Sequence, residues 1–129
     1  MSIETEVLAA ADHLVEVFGR HDAEAYFATF AEEATFLFHT HPARLESRHE
    51  WRALWDQWVD EGFHVLGCRS SDQRVQVIGY DAAVFSHSVE TTARLGEETT
   101  TTLERETIVF RRIEGAWLAV HEHLSPAST

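Results

Sequence analysis

The chain has no lysine, one cysteine, two prolines and six glycines in 129 residues, and these scarcities remove whole classes of chemistry. Without lysine there is no Schiff base and no anchor for pyridoxal phosphate. Cys68 alone can neither close an internal disulfide nor build a cysteine-rich zinc site. The glycines stand apart at positions 19, 62, 67, 79, 96 and 115, so no phosphate-cradling loop or dinucleotide fingerprint exists. Positive charge is also short. Ten arginines face twenty-two acidic residues, a formal charge of −12, which repels phosphate backbones and anionic lipid. The expected partners therefore include no nucleic acid and no membrane. No run of eighteen apolar residues occurs, and the opening residues MSIETEVL are acidic, unlike a secretion signal. The expected location is cytoplasmic.

What is present describes an ordinary globular domain. The chain is 44% hydrophobic and 25% charged. At this length folding hides about two-thirds of the chain's surface, enough for a core without metal or disulfide staples. A single domain over 1–129 is expected.

The first half reads as helical. Ser2 can cap a helix whose first turn carries Glu4 and Glu6, and Ile3, Val7, Ala10, Leu14 and Phe18 repeat at helical spacing up to Gly19. Asp22 can cap a short second helix bearing Tyr26, Phe27 and Phe30. Residues 35–39 are a compact β-prone run ending before Pro42. Ser47-Arg48-His49-Glu50 is a capping box, followed by the stripe Trp51, Leu54, Trp55, Trp58, Val59 and a stop at Gly62. Beyond Gly62 the period changes to two. Strands are expected at 63–69 with 74–78, then at 82–95, 99–112 and 116–124, with turns at Tyr80-Asp81, Gly96-Glu97 and Glu114-Gly115. The threonines at 99–102 suit an edge or solvent-facing strand. Helices followed by a long antiparallel meander define an α+β fold with helices on one sheet face.

That order of elements, with Phe30-Ala31-Glu32-Glu33-Ala34-Thr35-Phe36 before the tryptophan helix, resembles the nuclear transport factor 2-like superfamily. The ending Arg111-Arg112-Ile113-Glu114-Gly115-Ala116-Trp117-Leu118-Ala119-Val120-His121-Glu122-His123-Leu124-Ser125 resembles its SnoaL-like branch, which includes polyketide cyclase and ketosteroid isomerase-like proteins. The resemblance implies a cone in which three N-terminal helices pack on a strongly curved, mainly antiparallel sheet and leave a pocket at the open end. It also implies a homodimer joined through the sheet. The superfamily hosts isomerases, cyclases and dehydratases beside binding and assembly domains, so the fold alone does not fix a function.

His121 and His123 lie two apart on the last strand and share a face, where the catalytic relatives carry carboxylates; no matching Asp stands there. Histidine is the natural acid/base near neutral pH, which makes this pair the candidate catalytic residues. Their company depends on the turn at Glu114-Gly115. A two-residue hairpin groups them with Glu106 and Ile108, whereas one extra residue groups them with Arg105, Thr107 and Val109. The resemblance favours the second, because Arg-x-Thr-x-Val resembles the family's pocket-side pattern. His39 and His41 form a second His-x-His pair and the one alternative for a metal site, although no carboxylate completes a ligand spacing. Trp55 and Trp58 can contact an apolar ligand from their helix, with Tyr26 as a hydroxyl donor and with Phe38 and His87 from strands.

The expected function is thus a small-molecule pocket protein for an apolar or amphipathic molecule. As an enzyme it would be a cofactor-independent isomerase, dehydratase or cyclase with a histidine base. The alternative is a non-catalytic ligand-binding or dimerisation module of the same fold.

Overall fold

The computed structural model describes residues 2–127, so the outermost residues of the expected 1–129 domain lie outside it. Helix α1 runs Ile3–Gly19, α2 Ala23–Phe27 and α3 Arg48–Asp60. Each starts where a side-chain oxygen takes up a free backbone N–H: Ser2 accepts from Thr5, Asp22 from Ala25 and Ser47 from Glu50. The capping box closes differently from its usual form, since Glu50 accepts from the backbone N–H of Glu46.

The strands are β1 Phe30–Phe38, β2 Phe63–Gly79, β3 Ala82–Leu95, β4 Glu98–Ile113 and β5 Ala116–Pro126. They form one curved sheet in the order β1-β5-β4-β3-β2. Every neighbouring pair is antiparallel except β1 with β5. Two strand expectations need correction. The segments 63–69 and 74–78 are one strand of 17 residues, because a bulge at Asp72, with φ of 53°, absorbs the break without ending the ladder. The β-prone run expected at 35–39 is the end of β1, which stops at Phe38, starts five residues before the run and is interrupted by a register shift between Phe30 and Thr35. The threonine run sits as anticipated. β5 ends opposite Glu104, so residues 99–102 of β4 have only β3 beside them.

The core lies between the helices and the inner sheet face. Phe30, Phe36, Phe85 and Phe110 are at most 1% exposed, and each such burial contributes about 1.5–3 kcal/mol. Trp55 is equally buried and packs against Phe18, Tyr26, Phe27 and Phe63. At the far end, Glu6 of α1 accepts from Trp117 Nε1 at 2.9 Å and pairs with Arg112, fixing the helix to the β4–β5 hairpin. The turn after α3 meets the β3–β4 turn backbone to backbone. Gly62 has φ of +102°, accepts a hydrogen bond from Gly96 N–H, and has no room for a Cβ, which would stand 2.9 Å from Gly96 N.

Candidate functional site

Aromatic residues do not fill the space between helices and sheet completely. A cavity of about 370 Å³ remains, walled by Phe18, Tyr26, Trp51, Trp58 and Phe63 on the helical side. Its sheet side is made by β3, β4 and β5, and its mouth by the exposed Glu61, Arg94, Leu95 and Thr100. Such a volume suits a small organic molecule.

Three carboxyl groups reach this cavity from the sheet: Glu104 and Glu106 of β4 and Glu122 of β5. All three are at most 8% exposed. Alternation explains why. Glu104 and Glu106 are in phase with Ile108 and Phe110, so a strand that buries those apolar residues must turn the glutamates inward as well. Glu122 pairs with Ile108 across the β4–β5 ladder and is therefore the diagonal neighbour of Glu106 on the inner face.

These carboxyls do not share one environment. Glu106 Oε1 lies 2.7 Å from His87 Nε2, its partner across the β3–β4 ladder. The other imidazole nitrogen, Nδ1, is 2.6 Å from Ser70 Oγ, which accepts from Gln73 Nε2 at 2.9 Å. Gln73 also donates to Asp12 on α1, at 2.9 Å. Because Ser70 Oγ already accepts from Gln73, its hydrogen is free for His87 Nδ1, and His87 Nε2–H then donates to Glu106. A hydrogen-bonded line thus runs from the helix surface to the cavity.

Burial alone would raise the Glu106 carboxyl, but hydrogen bonds from His87 and Glu122 hold it below the usual glutamate range. Glu122 has no such support. Burial, the Glu106 charge, the hydrogen bond with Glu106 and the Glu104 charge push it well above that range. The surroundings therefore favour one proton on the pair, with Glu122 driven toward the protonated form and Glu106 toward the ionised one. Glu122 Oε1 is buried and has no hydrogen-bond partner. Glu104 Oε2 lies 2.5 Å from His39 Nε2. Above the pair, Tyr26 OH accepts from Trp51 Nε1 at 3.2 Å. Burial pushes its phenol well above 10, so its O–H remains a donor.

The expected site residues divide between the two sheet faces. Tyr26, Phe38 and Trp58 line the cavity. Trp55 lies beneath the wall, and His87 stands behind Glu106 with a side chain that is 0% exposed. The placement of His121 and His123 is corrected. They pair with Val109 and Thr107 on the outer face, where His121 Nδ1 is 2.7 Å from Thr35 Oγ1 and His123 is exposed. Arg105 and Thr107 are exposed on that same face. The turn itself has two residues and pairs Ile113 with Ala116. A bulge at Val120, between the Phe110–Ala119 and Val109–His121 pairs, supplies the extra residue and turns the histidines outward. Their grouping with Thr107 and Val109 follows the second of the two registers, but the pocket side is the other face. His39 is engaged by Glu104, and His41 joins no metal cluster: among the described residues no three His, Cys, Asp or Glu side chains converge on one point. The last strand does present a carboxyl to the cavity, that of Glu122, between the two histidines.

A curved five-stranded sheet wrapped over three helices is the architecture of the nuclear transport factor 2-like proteins. The SnoaL-like domain model matches residues 7–129, and the chain belongs to that family. No curated protein matches its sequence. Among solved structures it is similar to a ketosteroid isomerase-like protein from Erwinia carotovora atroseptica, with 19% identity, 97% of this chain and 96% of that one covered, and a TM-score of 0.81. It is also similar to a nuclear transport factor 2-like protein from Cytophaga hutchinsonii, at 16% identity, 98% and 100% coverage and a TM-score of 0.83. A putative calcium/calmodulin dependent protein kinase II association domain from Xanthomonas campestris is 17% identical, with 98% and 89% coverage and a TM-score of 0.80. At these identities the likeness shows the fold. Among the described residues no helix is long and apolar enough to cross a membrane.

Proposed function

We propose that the protein is a cofactor-independent enzyme that moves a proton on a compact, mostly apolar substrate, in an isomerisation, dehydration or cyclisation. The observation that carries this reading is the pair Glu106 and Glu122. They are two buried carboxyls on one cavity floor whose surroundings drive them to opposite protonation states. Glu106, held by His87, is the base. Glu122 is the acid, and the Tyr26 hydroxyl is the donor available to a substrate oxygen. In this reading the acid–base role belongs to the inner face, and His121 and His123 take no part in it.

Catalysed exchange of carbon-bound hydrogen in deuterated water tests the reading without knowledge of the product. A panel of bicyclic ketones sized to the cavity should lose α-hydrogen signals in proton NMR when the protein is present. Glu106→Gln should abolish the exchange while the variant still binds the ketones. Ketones that bind with no exchange above the Glu106→Gln background would favour a binding module of the same fold.

We also propose a homodimer formed through the outer sheet face, as the family resemblance implies. Sedimentation at micromolar concentration should give twice 14.7 kDa.

A further inference from the structure

The polar content of the cavity is unbalanced. Its lining carries four carboxyl groups, Glu61, Glu104, Glu106 and Glu122, against one formally positive side chain, Arg94. Arg94 is exposed at the mouth, so the deep half, where Glu106 and Glu122 meet, has no positive lining group. A polar atom this deep ordinarily has a partner, yet Glu122 Oε1, on a residue 4% exposed, has none. The atom accepts, so its missing partner is a donor.

Resting on the acid–base reading above, the nature of that donor follows from what happens when Glu122 gives up its proton. The loss leaves carboxylates at Glu122 and Glu106 side by side, with Glu104 nearby, in a buried setting where like charges repel strongly. A substrate oxygen that takes the proton becomes a neutral hydroxyl and leaves this repulsion in place. A basic nitrogen that takes it becomes a cation lying between the carboxylates. The protons balance in either form of the amine. A neutral amine takes the Glu122 proton, the O–H bond breaking as an N–H bond forms with the nitrogen's lone pair. An amine that arrives as ammonium keeps its own proton, and Glu122 releases its proton to solvent; in both cases Glu122 becomes an accepting carboxylate. The walls point the same way. Tyr26, Trp51, Trp58 and Phe63 give the cavity aromatic walls, whose electron-rich faces attract cations.

We propose that the cavity takes a ligand with an apolar body and a basic nitrogen, seated as an ammonium group on Glu122 Oε1 among the aromatic residues. Glu106, backed by His87, then remains the carboxylate free to take a proton from the ligand's carbon skeleton.

Isothermal titration at pH 7 with three probes of nearly equal shape tests this: tryptamine, the corresponding alcohol tryptophol, and indole-3-acetate. Tryptamine should bind about tenfold or more tighter than tryptophol, the scale of one charge-assisted hydrogen bond, with the acid weakest. Glu122→Gln should bring the amine down to the alcohol and leave the alcohol unchanged. An alcohol or acid that binds as tightly as the amine overturns the amine assignment and leaves the pocket reading standing. If none of the three binds, the pocket reading falls with it. The ordering in the unaltered chain decides the matter even if the variant does not fold.

Discussion

Glu122→Gln offers a stability experiment whose size follows from one proton. In the folded chain Glu122 keeps its proton well above the ordinary value of 4.5, driven first by burial and then by Glu106. In the unfolded chain it ionises near that value. Between those two limits the folded state holds one proton more than the unfolded state. Its stability therefore falls as pH rises, by about 1.4 kcal/mol per pH unit for the proton retained. The decline begins near the ordinary glutamate value and ends where the folded Glu122 ionises. Glutamine has nearly the same shape, cannot titrate, and still donates an N–H to Glu106. Over two pH units inside that window the variant should gain about 2–3 kcal/mol on the parent. Urea unfolding followed by circular dichroism from pH 5 to 8 measures both slopes. Parallel curves would show that Glu122 titrates as an ordinary surface carboxyl, and the proton-sharing floor would be refuted.

Three further outcomes follow from neighbouring contacts. His87→Ala removes the donor 2.7 Å from the buried Glu106 carboxylate and should cost about 3–5 kcal/mol in urea unfolding at pH 7, whereas His87→Gln, which restores an N–H, should recover part of it. Glu6 is held below its ordinary value of 4.5 by hydrogen bonds from Trp117 and Arg112. Its contribution is present above that value and is lost as pH falls through the depressed one, so Glu6→Gln should flatten the acid limb of the melting-temperature profile below about pH 4.5. Cys68 is pushed up to about 12 by burial, offset in part by its contact with Thr91, so iodoacetamide at pH 8 should label it only after unfolding.

How far the sequence reveals this protein depends on the range of the forces involved. The caps at Ser2, Asp22 and Ser47 and the turns at Tyr80-Asp81, Gly96-Glu97 and Glu114-Gly115 are local, and each element begins or ends where those residues place it. The long break inside β2 is less legible, because only the finished ladder with β3 carries the strand through Asp72. The site was obscured by the choice of face: the favoured grouping of the histidines with Thr107 and Val109 is the one found, but that face is not the pocket side. Counting from the two-residue turn at Glu114-Gly115 puts His121 and His123 on the face of Glu106. The bulge at Val120 reverses them, and no turn-forming residue marks it. A signal did exist in β4, where Glu104 and Glu106 alternate in phase with Ile108 and Phe110. Carboxylates in phase with core residues are either paired inside or destabilising, and here they floor the cavity. Glu122 gave the same hint through Leu124, but the flanking histidines were chemically more conspicuous. That Tyr26 and Trp58 share a wall with these carboxyls depends on α2, α3 and the sheet meeting in space, which residue spacing does not encode.

The most direct test of the central claim is carbon-13 NMR of the side-chain carboxyls in glutamate-labelled protein at pH 7. One glutamate resonance should sit at the position of a protonated carboxyl, far from the ionised envelope, and should vanish in Glu122→Gln. A spectrum in which every glutamate is ionised at that pH would contradict the account.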